Sequence, residues 1–321
     1  MILIISEMLD VSTNHVLDWL LAKKVKVIRI NKNDLKIESF DNKTNETTFT
    51  YKNSRTITSS QIKSFWHRRG YVGLEIDSNL LSQDAELQNQ IHYHMYGEWE
   101  ELIRFLTSNL KCQKEVKTIG FYSLKDKKLD QLYKAQKCKL KVPKTLITTS
   151  KQELLNFFHK SNIGIITKGI SSSPSFSFRN LSLEGYTEEV SEQFINNLSK
   201  SFFPSFFQEN IKKQYELRIF FLKKSFYAMA IFSQDNEQTK IDLRKYDDLK
   251  PNKTVPYILP EIVKKKLSQL MEDLELDTGS IDMIVDDNDE FYFLEVNPNG
   301  QFGMVSTPCN YYIEKDIAEV L

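Results

Sequence analysis

The sequence predicts an α/β chain of two or three packed units, opened by a small parallel sheet. Three observations predict it. Two short apolar runs, residues 2–5 (ILII) and 25–30 (VKVIRI), flank a segment of helical spacing, HVLDWLLAKK, and strand–helix–strand is the pattern of a parallel pair. Further along, apolar runs bounded by turn residues alternate with amphipathic helical stretches. Finally, 321 residues are enough to build two or three separate cores.

The elements follow in order. KIESF and TTFTYKN read as a polar hairpin, then SFWHRRG as a strand with a basic end. From Asp84 to Ser108 the apolar positions Leu87, Ile91, Met95, Trp99, Leu102, Phe105 and Leu106 recur every three or four residues, which predicts a long helix. Units are expected over 1–114, 115–205 and 206–321. The second opens with a helix, DKKLDQLYKAQ, and Pro143 marks the entrance of a strand, VPKTLITT. Helix KQELLNFFH and strand GIITKGI follow, then SSSPSFSF, a small-residue run that cannot be helical. The third unit pairs YELRIFFL with SFYAMAIFSQ, adds the helix PEIVKKKLSQLMEDLEL, and ends on a hairpin, SIDMIVDDNDEFYFLEVNPN.

Composition excludes several function classes. Charged residues make up 27% and net charge is zero, so there is no general attraction to nucleic acid or to an anionic membrane. No window approaches the ~18 apolar residues of a membrane span; the best, FFLKKSFYAMAIF, is split by Lys223 and Lys224. MILIIS is too short for a secretory core. Three scattered cysteines without a CxxC read as thiols of a reducing cytoplasm.

The last hairpin carries the chemistry. A carboxylate, Glu295, and an amide, Asn297, interrupt the apolar strand FYFLEV, and charge in such a strand needs a partner. With a four-residue loop at 287–290, Asp286 opposes Phe291 and Asp282 opposes Glu295. Asp282, Ile284, Phe293, Glu295 and Asn297 then share one face. Opposed like charges destabilise a sheet unless a cation lies between them, and an all-oxygen set points to Mg²⁺, with Mn²⁺ a chemical fit. A solvent-facing acidic patch or a protonated Asp–Glu pair would use the same residues; Phe291 and Phe293 on that face argue for the ion.

Such an ion completes its shell from nucleotide phosphates. Lys128, at a helix start, and Lys168, at a strand end, are candidate phosphate contacts, and Ser172 and Ser173 lie in a run able to fold as a phosphate flap. FFQENI can offer backbone groups to adenine and Glu209 to a ribose hydroxyl. Solvated lysines and a plain connector are the competing readings of these pieces.

Taken together, Lys128, Lys168 with its small-residue loop, QENIKKQYELR and IDMIV…FLEVNPNGQ resemble the ATP-grasp ligases over roughly residues 115–321. KKLDQL, VPKTLIT, IDLRKYD, WHRRG and FGMVSTPCNYYIEKDIA resemble the graspetide synthetases, of the grasp-with-spasm type, which cyclise ribosomal precursor peptides. The resemblance implies an ATP-grasp fold behind an N-terminal pre-ATP-grasp parallel-sheet domain. It implies that Lys128, Lys168, Gln208, Glu209, Ile211 and Lys213 hold ATP. It implies that Asp282, Glu295 and Asn297 hold the metal, two Mg²⁺ ions by the family's pattern, and that Arg218 and Arg244 lie beside them, near the reacting phosphate and the acceptor carboxylate. Leu243 departs from the aromatic residue that relatives often carry before that arginine. The implied partner is a precursor peptide with leader and acidic core, and homodimers occur among relatives. The implied reaction phosphorylates an Asp or Glu side chain and joins it to Ser or Thr as an ester, or to Lys as an amide. A carboxylate–amine ligase that adds an amino acid, and a nucleotide-regulated peptide binder without turnover, are the alternatives.

Overall fold

The computed structural model describes residues 1–31, 34–52, 55–70, 72, 84–112, 115–120, 128–171, 175–179, 181–234 and 251–321. The chain forms two compact units: residues 1–124 with 301–306 and 312–321, and residues 125–300 with 307–311.

In the first unit, β1 (Ile2–Ile5), β2 (Val27–Ile30), β6 (Ser64–His67) and β7 (Lys117–Ile119) make a parallel sheet in the order β2-β1-β6-β7. All four residues of β1 are buried, as expected of a parallel strand covered on both faces. On one side Leu3 and Ile5 share a core with Ile103, Leu106 and Leu110 of α2 (Ala85–Cys112) and with Phe49 and Ile57. Those last two come from an antiparallel sheet, β3 (Leu35–Asp41), β4 (Glu46–Tyr51) and β5 (Arg55–Thr58). α2 outruns the predicted end because Leu110 continues its buried stripe. α1 (Val11–Ala22) buries Val16 and Leu20, one turn apart, and packs against the C-terminal helix α8 (Ile313–Val320).

The basic end of β6 turns inward. Arg68 is 4% exposed and meets the equally buried Asp10 at 3.2 Å, while its Nη2 donates to Gln301 Oε1 at 3.1 Å. Burial pulls Arg68 down to about 10. This guanidinium is a structural tie; Arg69, 3.8 Å from Glu7, stays partly exposed.

The second unit holds two sheets. One is antiparallel, in the order β12-β9-β13-β8: β8 (Thr145–Ser150), β9 (Ile165–Lys168), β12 (Glu188–Val190) and β13 (Ser201–Glu209). α4 (Lys151–His159) and α5 (Glu192–Asn197) cover it through Leu154 and Ile195; Ser150 and Ser191 cap them. The run after Gly169 contains a two-stranded hairpin, β10 (Ser175–Phe178) with β11 (Leu181–Glu184).

The other sheet is ordered β16-β15-β14-β17-β18: β14 (Lys213–Leu222), β15 (Ser225–Phe232), β16 (Lys253–Tyr257), β17 (Thr278–Asp286) and β18 (Phe291–Asn297). Leu217, Ile219 and Phe221 of β14, with Ile281, Met283 and Val285 of β17, point into one core. α3 (Lys128–Lys137) and α6 (Glu261–Asp273) close it with Leu132, Ala135, Val263, Leu267 and Leu270. Strand alternation therefore sends Glu216, Arg218, Asp282 and Ile284 to the opposite face. Among the described residues no helix is long and apolar enough to cross a membrane.

Gly300 closes the turn after β18. Its N–H donates to Asn297 O at 3.0 Å, and a Cβ there would lie 2.1 Å from Ser280 Oγ and 2.7 Å from Ser280 N. Because one obstacle is backbone, no rotamer change relieves it. Gly300→Ala should lose about 3 kcal/mol of stability, read as an unfolding midpoint in urea.

Candidate active site

Directly opposed residues on four strands form one row: Met229, Arg218, Asp282 and Glu295. The expected pairing of Asp282 with Glu295 is present, but the route to it differs. Val285, not Asp286, opposes Phe291: β17 runs on to Asp286, so five residues, 286–290, separate the last opposed pair. Left uncorrected, that register would set Leu294 opposite Asp282. A bulge between Asp282 and Met283 in the ladder absorbs Leu294 as the extra residue and restores Glu295 to its place. The faces change accordingly. Phe293 is fully buried with Met283 and Val285, and Phe291 packs on the same core. Ile284 stays on the site face as expected, and Leu294 takes the place given to Phe293.

Arg218 Nη1 donates to both oxygens of Asp282, at 2.8 and 2.9 Å, and its Nε is buried without a hydrogen-bond partner among the described residues. Glu216 shares the face of Arg218 on β14 but forms no ion pair with it. Glu216 instead forms an ion pair with the buried Lys213 and accepts from Ser233 Oγ at 3.3 Å. Burial pushes the Asp282 carboxyl up to about 6; Arg218 opposes the rise, while Glu295 and Glu216 add to it.

Lys128 opens α3 and reaches Glu295 Oε2 at 3.7 Å while donating to Gly169 O at 2.9 Å. Lys168, at the end of β9, stands across from Phe206 in the ladder. The ammonium groups of Lys128 and Lys168 lie 5.9 and 5.5 Å from the centre of the Phe206 ring, so one aromatic face region gathers both.

A cavity of about 80 Å³ has Lys168, Gln208, Glu209, Ile211 and Lys213 in its wall, and Ile166, Ile284 and Leu294 give it apolar surface. Gln208 is buried and donates to Thr145 Oγ1 at 3.0 Å. Glu209 Oε1 accepts from the Lys144 N–H at 2.9 Å, so any ribose hydroxyl would share this carboxylate with Lys144. A larger cleft of about 490 Å³ shares only Glu209 and Ile211 with the predicted set. Three of its four lysines, Lys141, Lys144 and Lys212, are paired with Glu290, Glu209 and Asp287, and Lys160 is the fourth. The smaller cavity combines apolar walls with five of the predicted nucleotide residues.

Among the described residues no three of His, Cys, Asp and Glu gather into a metal-binding cluster. A divalent ion here would rest on two carboxylates, Asp282 and Glu295, and on Asn297, whose Oδ1 now accepts the Asn299 N–H at 3.1 Å. The donor chemistry fits Mg²⁺: oxygen only, few protein ligands, and two opposed carboxylates whose repulsion an ion would offset. Ser172, Ser173 and Arg244 lie outside the described residues. Sequence reasoning missed Glu216 as the partner of Lys213, although three-residue spacing inside a strand-entry bulge was its only signal.

The whole chain matches a Chryseobacterium gregarium RiPP-associated ATP-grasp ligase, solved with ADP and a leader and core peptide, at 27% identity and a TM-score of 0.82, covering 100% of this chain and 96% of that one. The chain is an ATP-grasp ligase. The macrocyclase MdnC from Microcystis aeruginosa MRC, solved with its precursor peptide MdnA, matches this ligase at 25% identity and a TM-score of 0.79, covering 100% and 98% of the two chains. PsnB, solved with a minimal precursor, Mg and ADP, shares the fold at 14% identity, with a TM-score of 0.72 and 99% and 96% covered. No protein-family model and no curated protein matches the ligase by sequence.

Proposed function

We propose that this ligase is a peptide macrocyclase that uses ATP to join side chains within a ribosomal precursor peptide. The observation that carries the reading is the match, over the entire chain, to an ATP-grasp ligase solved with a leader and core peptide and to a macrocyclase solved with its precursor peptide. The row of Arg218, Asp282 and Glu295 supplies chemistry of the right kind.

In this reading Lys128 and Lys168 bind the phosphates of ATP, with Ser172 and Ser173 on the flap. Gln208, Glu209, Ile211 and Lys213 border the adenine and ribose. Asp282, Glu295 and Asn297 would hold Mg²⁺, two ions by the family's pattern, with Mn²⁺ chemically equivalent. Bound Mg²⁺ supplies neutralisation of phosphate charge during transfer. Arg218 and Arg244 orient the acceptor Asp or Glu carboxylate of the peptide by charge-assisted hydrogen bonds. That carboxylate takes the γ-phosphoryl group and becomes an acyl phosphate. A Ser or Thr hydroxyl then attacks the acyl carbon, inorganic phosphate leaves, and an ester closes the ring; a Lys amine gives an amide. The hydroxyl proton passes to a phosphate oxygen or to a carboxylate of the peptide; His159 of the second unit already faces Glu192 at 3.3 Å.

The test is the mass of an acidic, Ser/Thr-containing peptide encoded beside the gene, after incubation with ATP and Mg²⁺. Loss of one water per ring, with one ADP formed, is expected. Gain of an amino-acid residue would reassign the enzyme to tail ligation, and an unchanged mass without ADP would reduce it to a binder.

A further inference from the structure

Lys128 and Gln131 stand one turn apart on α3 and so share a face. Gln131 is 2% exposed, and its amide closes on the backbone of Val296. Nε2 donates to Val296 O at 2.8 Å, and Oε1 accepts from Val296 N–H at 2.9 Å. Val296 sits between Glu295 and Asn297.

Among the described residues β18 is an edge strand, so its outward N–H and C=O groups face no further strand there. The Gln131 amide gives Val296 both bonds that a neighbouring strand would give. Higher on the same edge, the Phe293 N–H donates to Lys141 O at 2.8 Å. The extra residue of the bulge, Leu294, lies between these two anchors. The bulge decides whether Glu295 or Leu294 stands opposite Asp282, and a one-residue slip exchanges a ligand for an aliphatic side chain.

We infer that Gln131 is a positioning residue: by holding Val296 at both polar groups it keeps Glu295 and Asn297 aimed at the metal. The same helix brings Lys128 to Glu295, so phosphate contact and metal strand are held by one rigid element. The inference rests on the proposed assignment of Glu295 and Asn297 as metal ligands. Residue type matters here. Asparagine is too short to reach, and glutamate can accept from Val296 N–H but presents only oxygen to Val296 O.

The variant to make is Gln131→Met, which keeps length and volume and removes both hydrogen bonds. Two readouts apply besides turnover. Amide exchange at Val296 should quicken at least tenfold. Mg²⁺ titrated calorimetrically into the protein with a non-hydrolysable ATP analogue should bind about 10- to 100-fold more weakly, and turnover should recover partly at high Mg²⁺. Glu295→Gln is measured alongside. If Glu295→Gln weakens Mg²⁺ binding but Gln131→Met leaves it within twofold, the inference is overturned while the metal assignment stands. If Glu295→Gln leaves Mg²⁺ binding unchanged, the metal assignment fails and takes the inference with it. Should Gln131→Met not fold, Gln131→Glu, which keeps the bond from Val296 N–H, is read in the same way.

Discussion

Glu295→Gln should abolish ring formation, with turnover reduced by roughly 10³-fold or more, while peptide binding stays close to wild type. The substitution keeps the size of the side chain and removes one charge. Metal and oriented-charge stabilisation of a phosphoryl-transfer transition state amounts to several kcal/mol, and about 4 kcal/mol is about 10³ in rate. Stability should move the other way. In the native protein Glu295 helps to raise the Asp282 carboxyl, so its neutral isostere removes a repulsion across the β17–β18 ladder. Without ligands, the variant's melting point at pH 8 should equal or exceed that of the wild type. Loss of turnover with no loss of stability separates a functional residue from a structural one. A variant that makes rings at the wild-type rate would sink the assignment.

Arg218→Leu should combine a large loss of turnover, at least 10²-fold, with a pH-dependent loss of stability. Asp282 depends on Arg218 Nη1 for both oxygens, and without it a carboxylate is left beside Glu295 and Glu216. Removing one partner of a buried pair costs several kcal/mol. Here the two side chains keep 22% and 24% exposure, and solvent screening lowers the figure to about 2 kcal/mol. The sign follows from the direction of the shift. The folded-state value for Asp282 lies above its ordinary one, at about 6, and loss of the guanidinium raises it further. Stability is therefore present in full below about pH 4 and is lost as pH rises through the folded-state value. The variant should melt about 5 °C below wild type at pH 8, and the gap should narrow at pH 5. Arg218→Lys, which keeps the charge but not the planar donor set, should recover most of the stability and little of the turnover. An equal melting-point gap at pH 5 and pH 8 would count against the ion pair as the cause.

Much of the site could be read in the chain because strand chemistry is local. The run SIDMIVDDNDEFYFLEVNPN shows its turn, its apolar alternation and its two carboxylates without any partner in view. Helices α3, α4 and α6 were legible for the same reason, since each carries a stripe that repeats with the helical turn. β16 and α5 were not. Each is short, and each is held by neighbours distant in sequence rather than by its own propensity.

Arg68 marks a limit of local reading: WHRRG reads as a strand with a basic end, yet the Arg68 guanidinium is buried against Asp10 and Gln301, the second of them 233 positions away. Nothing local marks such a contact. Phe293 shows a subtler limit. Hairpin periodicity placed it beside Asp282, but one inserted residue turns every side chain between loop and bulge to the other face.

The order of residues by itself determined which strands carry the opposed carboxylates, which lysines could meet phosphate and where helices α3, α4 and α6 run, because these depend on spacing within a single element. The tertiary structure alone decided the register through the Leu294 bulge, the choice of Asp282 rather than Glu216 as the partner of Arg218, and the clasp of Gln131 on Val296. Each of these is a competition among hydrogen-bond partners far apart in the chain, and such a competition is settled only when folding brings the competitors within bonding distance.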